Sequence, residues 1–152
     1  METSEFTHLC QIRVRTYDID SQGIVHNLNF LKYFETGRVE YFRNLGYNLL
    51  PTGIFNIGLK VVVVRNEIDY LSFAFLDDLL DIYTKISWIK KTSFCFDQII
   101  KNNKSGITVC KGMGILVNVN SQNKPEKIYQ NIISEIELFE KKTIKIIDEN
   151  EI

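Results

Sequence analysis

Asn27-Leu28-Asn29-Phe30-Leu31-Lys32-Tyr33-Phe34-Glu35-Thr36-Gly37-Arg38-Val39-Glu40-Tyr41-Phe42-Arg43-Asn44-Leu45-Gly46 is the stretch on which the fold turns. Its apolar positions Leu28, Leu31, Phe34, Val39, Phe42 and Leu45 recur at helical spacings, and Gly46 stands where a left-handed residue would end the helix. The spacing predicts a helix from about Asn27 to Leu45, roughly 28 Å long at about 1.5 Å per residue. Phe30, Tyr33 and Tyr41 occupy its other faces. A helix apolar on several sides is expected to be wrapped by other structure, with no single wet face.

Upstream, His8 to Tyr17 alternates in strand fashion, Ile12 and Val14 against Arg13 and Arg15, before the turn-forming residues of Asp18 to Gly23 break the pattern. Downstream, Lys60 to Leu71, Leu79 to Lys90, Ser93 to Lys101 and Ile107 to Val119 are rich in β-branched and aromatic residues and read as strands. Lys91-Thr92 and Asn102-Asn103-Lys104-Ser105-Gly106 are hairpin connections by composition. One long helix followed by consecutive hairpin-linked strands predicts an α+β fold, with a curved, mainly antiparallel sheet around the helix. A final amphipathic segment from about Tyr129 to Lys142 is expected to pack outside, followed by a charged tail that frays.

The whole chain, 152 residues with 45% hydrophobic and 12% aromatic content, suffices for a core and carries no linker, repeat or low-complexity tract. One domain over 1–152 is expected, with its core at about 8–120 and a C-terminal helix and tail at about 128–152. Eighteen basic against nineteen acidic residues give a formal net charge of -1. That balance provides no overall field toward nucleic acid or anionic membrane. The first residues lack a basic region followed by an apolar run, and no later run is long enough to span a bilayer, so a soluble, cytoplasmic protein is expected. Cys10, Cys95 and Cys110 are odd in number and lack a close pair, which suggests buried thiols and neither disulfides nor zinc.

Chemistry concentrates in Arg15-Thr16-Tyr17-Asp18-Ile19-Asp20-Ser21-Gln22-Gly23-Ile24-Val25-His26-Asn27-Leu28-Asn29-Phe30. Helix starts expose unpaired N–H groups and a positive dipole end that stabilise an oxyanion, and a nearby carboxylate can attack a carbonyl or activate water toward it. Ordinary turn and cap chemistry uses the same residue types.

The run Tyr17-Asp18-x-Asp20-x-x-Gly23-Ile24-Val25, then Asn29-Phe30-x-x-Tyr33-Phe34-Glu35-x-x-Arg38, resembles the signature of the 4-hydroxybenzoyl-CoA thioesterase family of hotdog proteins. The similarity continues through Tyr70-Leu71-x-x-Ala74-x-x-Asp77-Asp78 and Lys90-Lys91-Thr92-Ser93-Phe94, from about Ile12 to Val119. It implies a hotdog fold, a five-strand sheet around the central helix. It also implies a homodimer with sites at its interface, or a homotetramer, and hydrolysis of an acyl-CoA or acyl carrier protein thioester.

By that resemblance Asp20 is the catalytic carboxylate, as nucleophile or general base, and the backbone N–H of Asn27 polarises the thioester carbonyl. Gly23, Asn29, Lys90, Lys91 and Ser93 are expected at the substrate or CoA, the two lysines also being readable as a solvated turn. Many members carry Tyr-His where this chain has His26-Asn27, so His26 orders the site, assists proton transfer or is structural. The Asn27 side chain either caps the helix or bonds substrate. Asp18 is expected to be structural. Glu35 is a backup carboxylate or the helix partner of Arg38. Phe73 and Phe75 replace the proline and polar residue of relatives, which makes for a greasier pocket or extra core packing. Asp77-Asp78 reads as turn chemistry, and neither metal nor cofactor is expected. Two other activities compete: a hotdog 3-hydroxyacyl dehydratase or hydratase, which needs a histidine and a carboxylate, and a non-catalytic acyl-binding protein.

Overall fold

Four β-branched and aromatic runs form four long strands: β2 (Val61–Tyr70), β3 (Leu79–Ile89), β4 (Ser93–Asn102) and β5 (Thr108–Asn118). β1 (His8–Arg13) precedes them, and helix α1 (Asn29–Asn44) lies between β1 and β2. Helix α2 (Gln130–Glu140) and the short β6 (Lys145–Ile146) follow. These come from a computed structural model that describes residues 3–148; residues 1–2 and 149–152 lie outside the described residues. The sheet runs β1-β3-β4-β5-β2 with every neighbour antiparallel, and β6 joins β3 in parallel at Trp88–Ile89. With α1 packed against this sheet, the architecture is the expected hotdog arrangement.

What seats α1 is a glycine. A Cβ on Gly37 would stand 2.7 Å from Gln98 Nε2, 2.7 Å from Thr84 Oγ1 and 2.8 Å from a methyl of Ile82, so only glycine lets helix and sheet approach this closely. Gln98, fully buried on β4, donates from Nε2 to the Phe34 carbonyl (2.9 Å) and to Thr84 Oγ1 (3.0 Å). Gly112 and Gly114 of β5 make room in the same way for the Phe34 ring and the Arg38 guanidinium.

This polar contact divides two apolar clusters. Phe30, Tyr33 and Phe34 pack with Val14, Val25, Leu80, Ile82 and Ile100 at the start of α1. Tyr41 and Phe42 pack with Ile86, Phe94, Phe96 and Leu116 at its end. The helix stops in a Schellman motif: Gly46 (φ 91°) donates to the Arg43 carbonyl, Tyr47 donates to that of Phe42, and the Phe42 and Tyr47 rings stack.

Several expectations need correction. The first strand ends at Arg13, not Tyr17, because Val14 turns to exchange backbone bonds with Asp77 and Asp78, and Thr16–Asp18 is a single 3-10 turn. The buried face of α1 is Phe30, Tyr33, Phe34, Gly37, Arg38, Tyr41 and Phe42, whereas Leu28 is exposed and Leu31 and Val39 are half-buried. Helix α2 packs on the outside through one stripe, Ile132, Ile136 and Glu140, with the two isoleucines entering the second cluster, while the segment after it does not fray at once but pairs with β3. Phe73 and Phe75 add nothing to the core, being 68% and 51% exposed. The three cysteines are free, with Cys95 and Cys110 buried as expected and Cys10 half-buried. No helix among the described residues is long and apolar enough to cross a membrane.

Two stability predictions follow from this packing. Ala is favoured over Gly in helix interiors by about 1 kcal/mol, yet Gly37→Ala should destabilise the protein by about 1–3 kcal/mol, the usual range for overpacking; urea denaturation reads the sign. Burial raises Glu140 to about 7, against the opposing pull of Lys142, the Ile86 backbone, Tyr41 and Lys85. Below pH 4.5 the group is protonated folded or unfolded; between 4.5 and about 7 only the unfolded chain releases the proton, so stability falls as pH rises through that window. Glu140→Gln should therefore match wild type near pH 4.5 and exceed it at pH 8 by on the order of 2–3 kcal/mol, measured by denaturation at both pH values.

Candidate active site

The loop between β1 and α1 is held by its own backbone. The Asp18 carboxylate accepts from the Arg15 N–H (2.8 Å), and its carbonyl accepts both the His26 N–H (2.9 Å) and the buried Asn29 Nδ2 (2.6 Å). Asp18 is therefore structural, as expected, and Asn29 spends its amide tying the loop to the first turn of α1. Burial, with the Asp18 carboxylate beside it, pushes the Tyr33 phenol above its ordinary value.

Asp20 opens a tight turn. Its carbonyl accepts from the Gly23 N–H (3.0 Å), Gly23 takes φ 78°, and the Asp20 N–H donates to the Ile24 carbonyl (2.9 Å). The Asp20 carboxylate accepts the Gln22 N–H through Oδ1 (2.8 Å), which fixes the side chain and leaves Oδ2 with no partner among the described residues. Ile24 bridges Phe75, and Val25 donates to the Ala74 carbonyl (2.8 Å), so the β2–β3 connection closes over this turn. Gly23 shapes the turn, and its N–H is already used.

At the helix start, His26 Nδ1 accepts the Leu28 N–H (3.1 Å) and the His26 carbonyl accepts the Asn29 N–H (2.9 Å). The imidazole thus braces the residue just before the helix, while no side chain caps α1 itself, so the capping task considered for Asn27 is not taken. Among the described residues the Asn27 N–H has no acceptor, and the Asn27 carbonyl accepts the Tyr70 hydroxyl (3.3 Å).

Asp20 and Asn27 line one cleft of about 210 Å³ with Val25, Phe30, Tyr70 and Phe73. The Phe30 and Tyr70 rings meet edge-to-face at 5.7 Å. A residue bearing a carboxylate and a residue with an uncommitted N–H before a helix therefore line one small space, beside three aromatic residues. Such a pair can polarise a carbonyl from one side while an oxygen adds to its carbon from another. Tyr70 stood in the quoted motif without a role, and Phe30 counted only as core. Ser72 also lines the cleft, with no signal in the sequence to mark it.

The remaining candidates lie elsewhere. Glu35 is exposed and lines a separate cavity beside Arg38; among the described residues no ion pair joins the two. Lys90, Lys91 and Ser93 form the β3–β4 turn, closed by the Lys90 N–H on the Ser93 carbonyl (2.8 Å), with the Lys90 ammonium 5.2 Å from the Trp88 ring centre. Lys127, missed in the sequence, joins the two lysines along a groove of about 460 Å³. This turn sits at the Phe42 end of α1, a helix of 16 residues away from Asp20, about 24 Å at the α-helical rise. His8 is buried against Tyr41 and Phe139. Burial pushes the thiols of Cys10 and Cys95 up to about 11 and that of Cys110 up to about 12, so none supplies a thiolate near neutrality. No cluster of three His, Cys, Asp or Glu side chains suited to a metal occurs among the described residues.

The profile of a family described as the thioesterase-like superfamily matches residues 14–144. The chain is 36% identical to the acyl-CoA thioesterase YbgC of Haemophilus influenzae over 60% of its length and 67% of that protein. It is 25% identical to a chloroplastic acyl-acyl carrier protein thioesterase of Arabidopsis thaliana, over 86% of this chain and 67% of that one. Its structure matches a thioesterase of Thermus thermophilus crystallised with coenzyme A and zinc at a TM-score of 0.79 and 27% identity, covering 92% of this chain and 98% of the other.

Proposed function

The chain belongs to the thioesterase-like superfamily and is a thioester hydrolase, and on that premise we propose that it cleaves an acyl-CoA or acyl carrier protein thioester to a free acid and a thiol, with Asp20 as the catalytic carboxylate. One observation supports the reading: Asp20, whose carboxylate is held by the Gln22 N–H, and Asn27, whose N–H has no acceptor among the described residues, line the same cleft. The thioester carbonyl oxygen accepts from Asn27, at the positive end of α1. Oδ2 of Asp20 then either adds to the carbonyl carbon and expels the thiolate, giving an anhydride that water hydrolyses, or takes a proton from the water that adds. Tyr70, bonded to the Asn27 carbonyl, holds the polarising peptide in place. His26 orders the approach to the helix through its bond to the Leu28 N–H.

Hydrolysis fits these contacts better than hydration of a 3-hydroxyacyl chain. His8 is buried away from the cleft, and His26 already accepts a backbone N–H through Nδ1.

A second copy of the chain completes the site in this reading. Among the described residues β2 is an edge of the sheet with no strand on its outer side, and Val62, Val63 and Val64 are exposed. Two β2 strands paired antiparallel about a two-fold axis set the Val61 end of one against the Tyr70 end of the other. Lys90, Lys91 and Lys127 share the Val61 end, and Asp20 shares the Tyr70 end. One copy's lysines thereby reach the nucleotide phosphates of a CoA whose thioester lies at the other copy's Asp20.

Thiol release from a panel of acyl-CoAs and acyl carrier proteins tests the chemistry. Asp20→Asn should lower kcat about 10²- to 10⁴-fold with an unchanged denaturation midpoint, and equal turnover in both proteins would remove Asp20 from the mechanism. Complementation tests the assembly: Asp20→Asn chains mixed with Lys90→Glu/Lys91→Glu chains should regain activity that neither has alone on acyl-CoA. Mixed chains no more active than their average would place the lysines and Asp20 on independent sites.

A further inference from the structure

A second cavity, of about 240 Å³, shares no lining residue with the Asp20 cleft. It lies between α1, β2 and the segment that links them. Phe42, Phe55, Phe96 and Leu116, all buried, form its apolar floor, and Leu49 and Val63 its rim. Into this space comes Arg38, 7% exposed.

The Arg38 guanidinium lies over Gly114, where a Cβ would stand 3.0 Å from Nη1 and 3.2 Å from Asn66 Oδ1. Among the described residues it makes neither a hydrogen bond nor an ion pair within 4.0 Å. Its nitrogens are not fully hidden, so a side chain that is otherwise buried keeps donors open to the cavity with no protein acceptor among the described residues. Burial accordingly lowers its proton affinity, and the Glu35 charge opposes that only in part. Glu35 stands exposed at the mouth of the cavity.

From this arrangement we infer that the cavity is a ligand site for the carboxylate of a small hydrophobic acid, with Arg38 as its anchor. The planar fork of a guanidinium matches a carboxylate through two parallel N–H···O bonds, and the aromatic and aliphatic floor accepts the hydrocarbon part. The volume holds about eight non-hydrogen atoms at a liquid-like ~30 Å³ each, the size of hexanoate or benzoate. Glu35 opposes an entering anion by its charge and sets the affinity from the mouth. The ligand class follows from Arg38 and the floor alone and does not depend on the reaction at Asp20.

Calorimetric titration of the full chain with hexanoate and with benzoate tests the site. Saturable binding is expected in wild type and in Asp20→Asn, and hexanamide, which has the same shape without the charge, should not bind. Arg38→Gln should weaken binding about tenfold or more, the loss of a bidentate charged contact, and Glu35→Gln should strengthen it. Arg38→Lys, which keeps the charge, serves if Arg38→Gln does not fold. Binding lost in Asp20→Asn would place the acid in the other cleft, and equal binding of hexanamide or by Arg38→Gln would remove the guanidinium as anchor. No saturable binding in wild type, with Arg38→Gln shifting the sedimentation coefficient to that of a smaller species, would assign the cation to an interface between copies of this chain. Each of these three results overturns the inference.

Discussion

The contact at Gly37 supports everything else in this molecule. A helix laid on a sheet ordinarily stands off by the thickness of its side chains. Here a missing Cβ lets the backbone of α1 down onto Thr84 and Gln98, and the Gln98 amide reaches the Phe34 carbonyl. That buried polar bond occurs at one register only, because a slide of α1 along the sheet would leave the Gln98 donor unpaired in a dry interior. The apolar clusters on either side supply burial without such directionality. Hydrophobic area holds the helix down, and the glycine and glutamine decide where.

With the register set, the first turn of α1 falls beside the β2–β3 connection, and the Asp20 turn is caught between them. Asp18 and Asn29 tie the loop to the helix from within, while Ile24 and Val25 tie it to Phe75 and Ala74 from outside. The catalytic carboxylate proposed here thus sits on a loop, yet one whose backbone groups are mostly paired. Such a loop keeps an acidic oxygen in place against a helix start without the freedom of an ordinary surface turn.

The two ends of α1 differ in chemistry. The Asp20 end is acidic and aromatic; the far end carries Lys90, Lys91 and Lys127 along a groove that Gln130, Asp148 and several isoleucines also line. Between them runs the open edge of β2, with the Arg38 cavity along its flank. Carboxylate, cations and uncovered strand lie apart in one chain, and a two-fold partner joins them in the proposed assembly without any change in the fold.

The order of the elements was legible in the residues, since strand alternation, helical spacing and the turn residues at 91–92 and 102–106 are properties of neighbouring positions. The choice of Asp20 as candidate carboxylate rests on resemblance to a family motif and not on spacing alone, because Asp-x-Asp before a helix serves capping equally well. Tertiary structure decided the rest. Leu28 and Leu31 fit the helical period as well as Phe30 and Phe34 do, and only the sheet's position chose between them. His26 holds the Leu28 N–H through Nδ1, a contact that its place in the sequence did not reveal. Arg38 looked like a helix partner of Glu35 until its guanidinium was found over Gly114, 76 positions away in the chain. Periodicity reports which side chains share a face, but which face is covered, and by what, depends on contacts between residues far apart in sequence, and no local pattern encodes those distances.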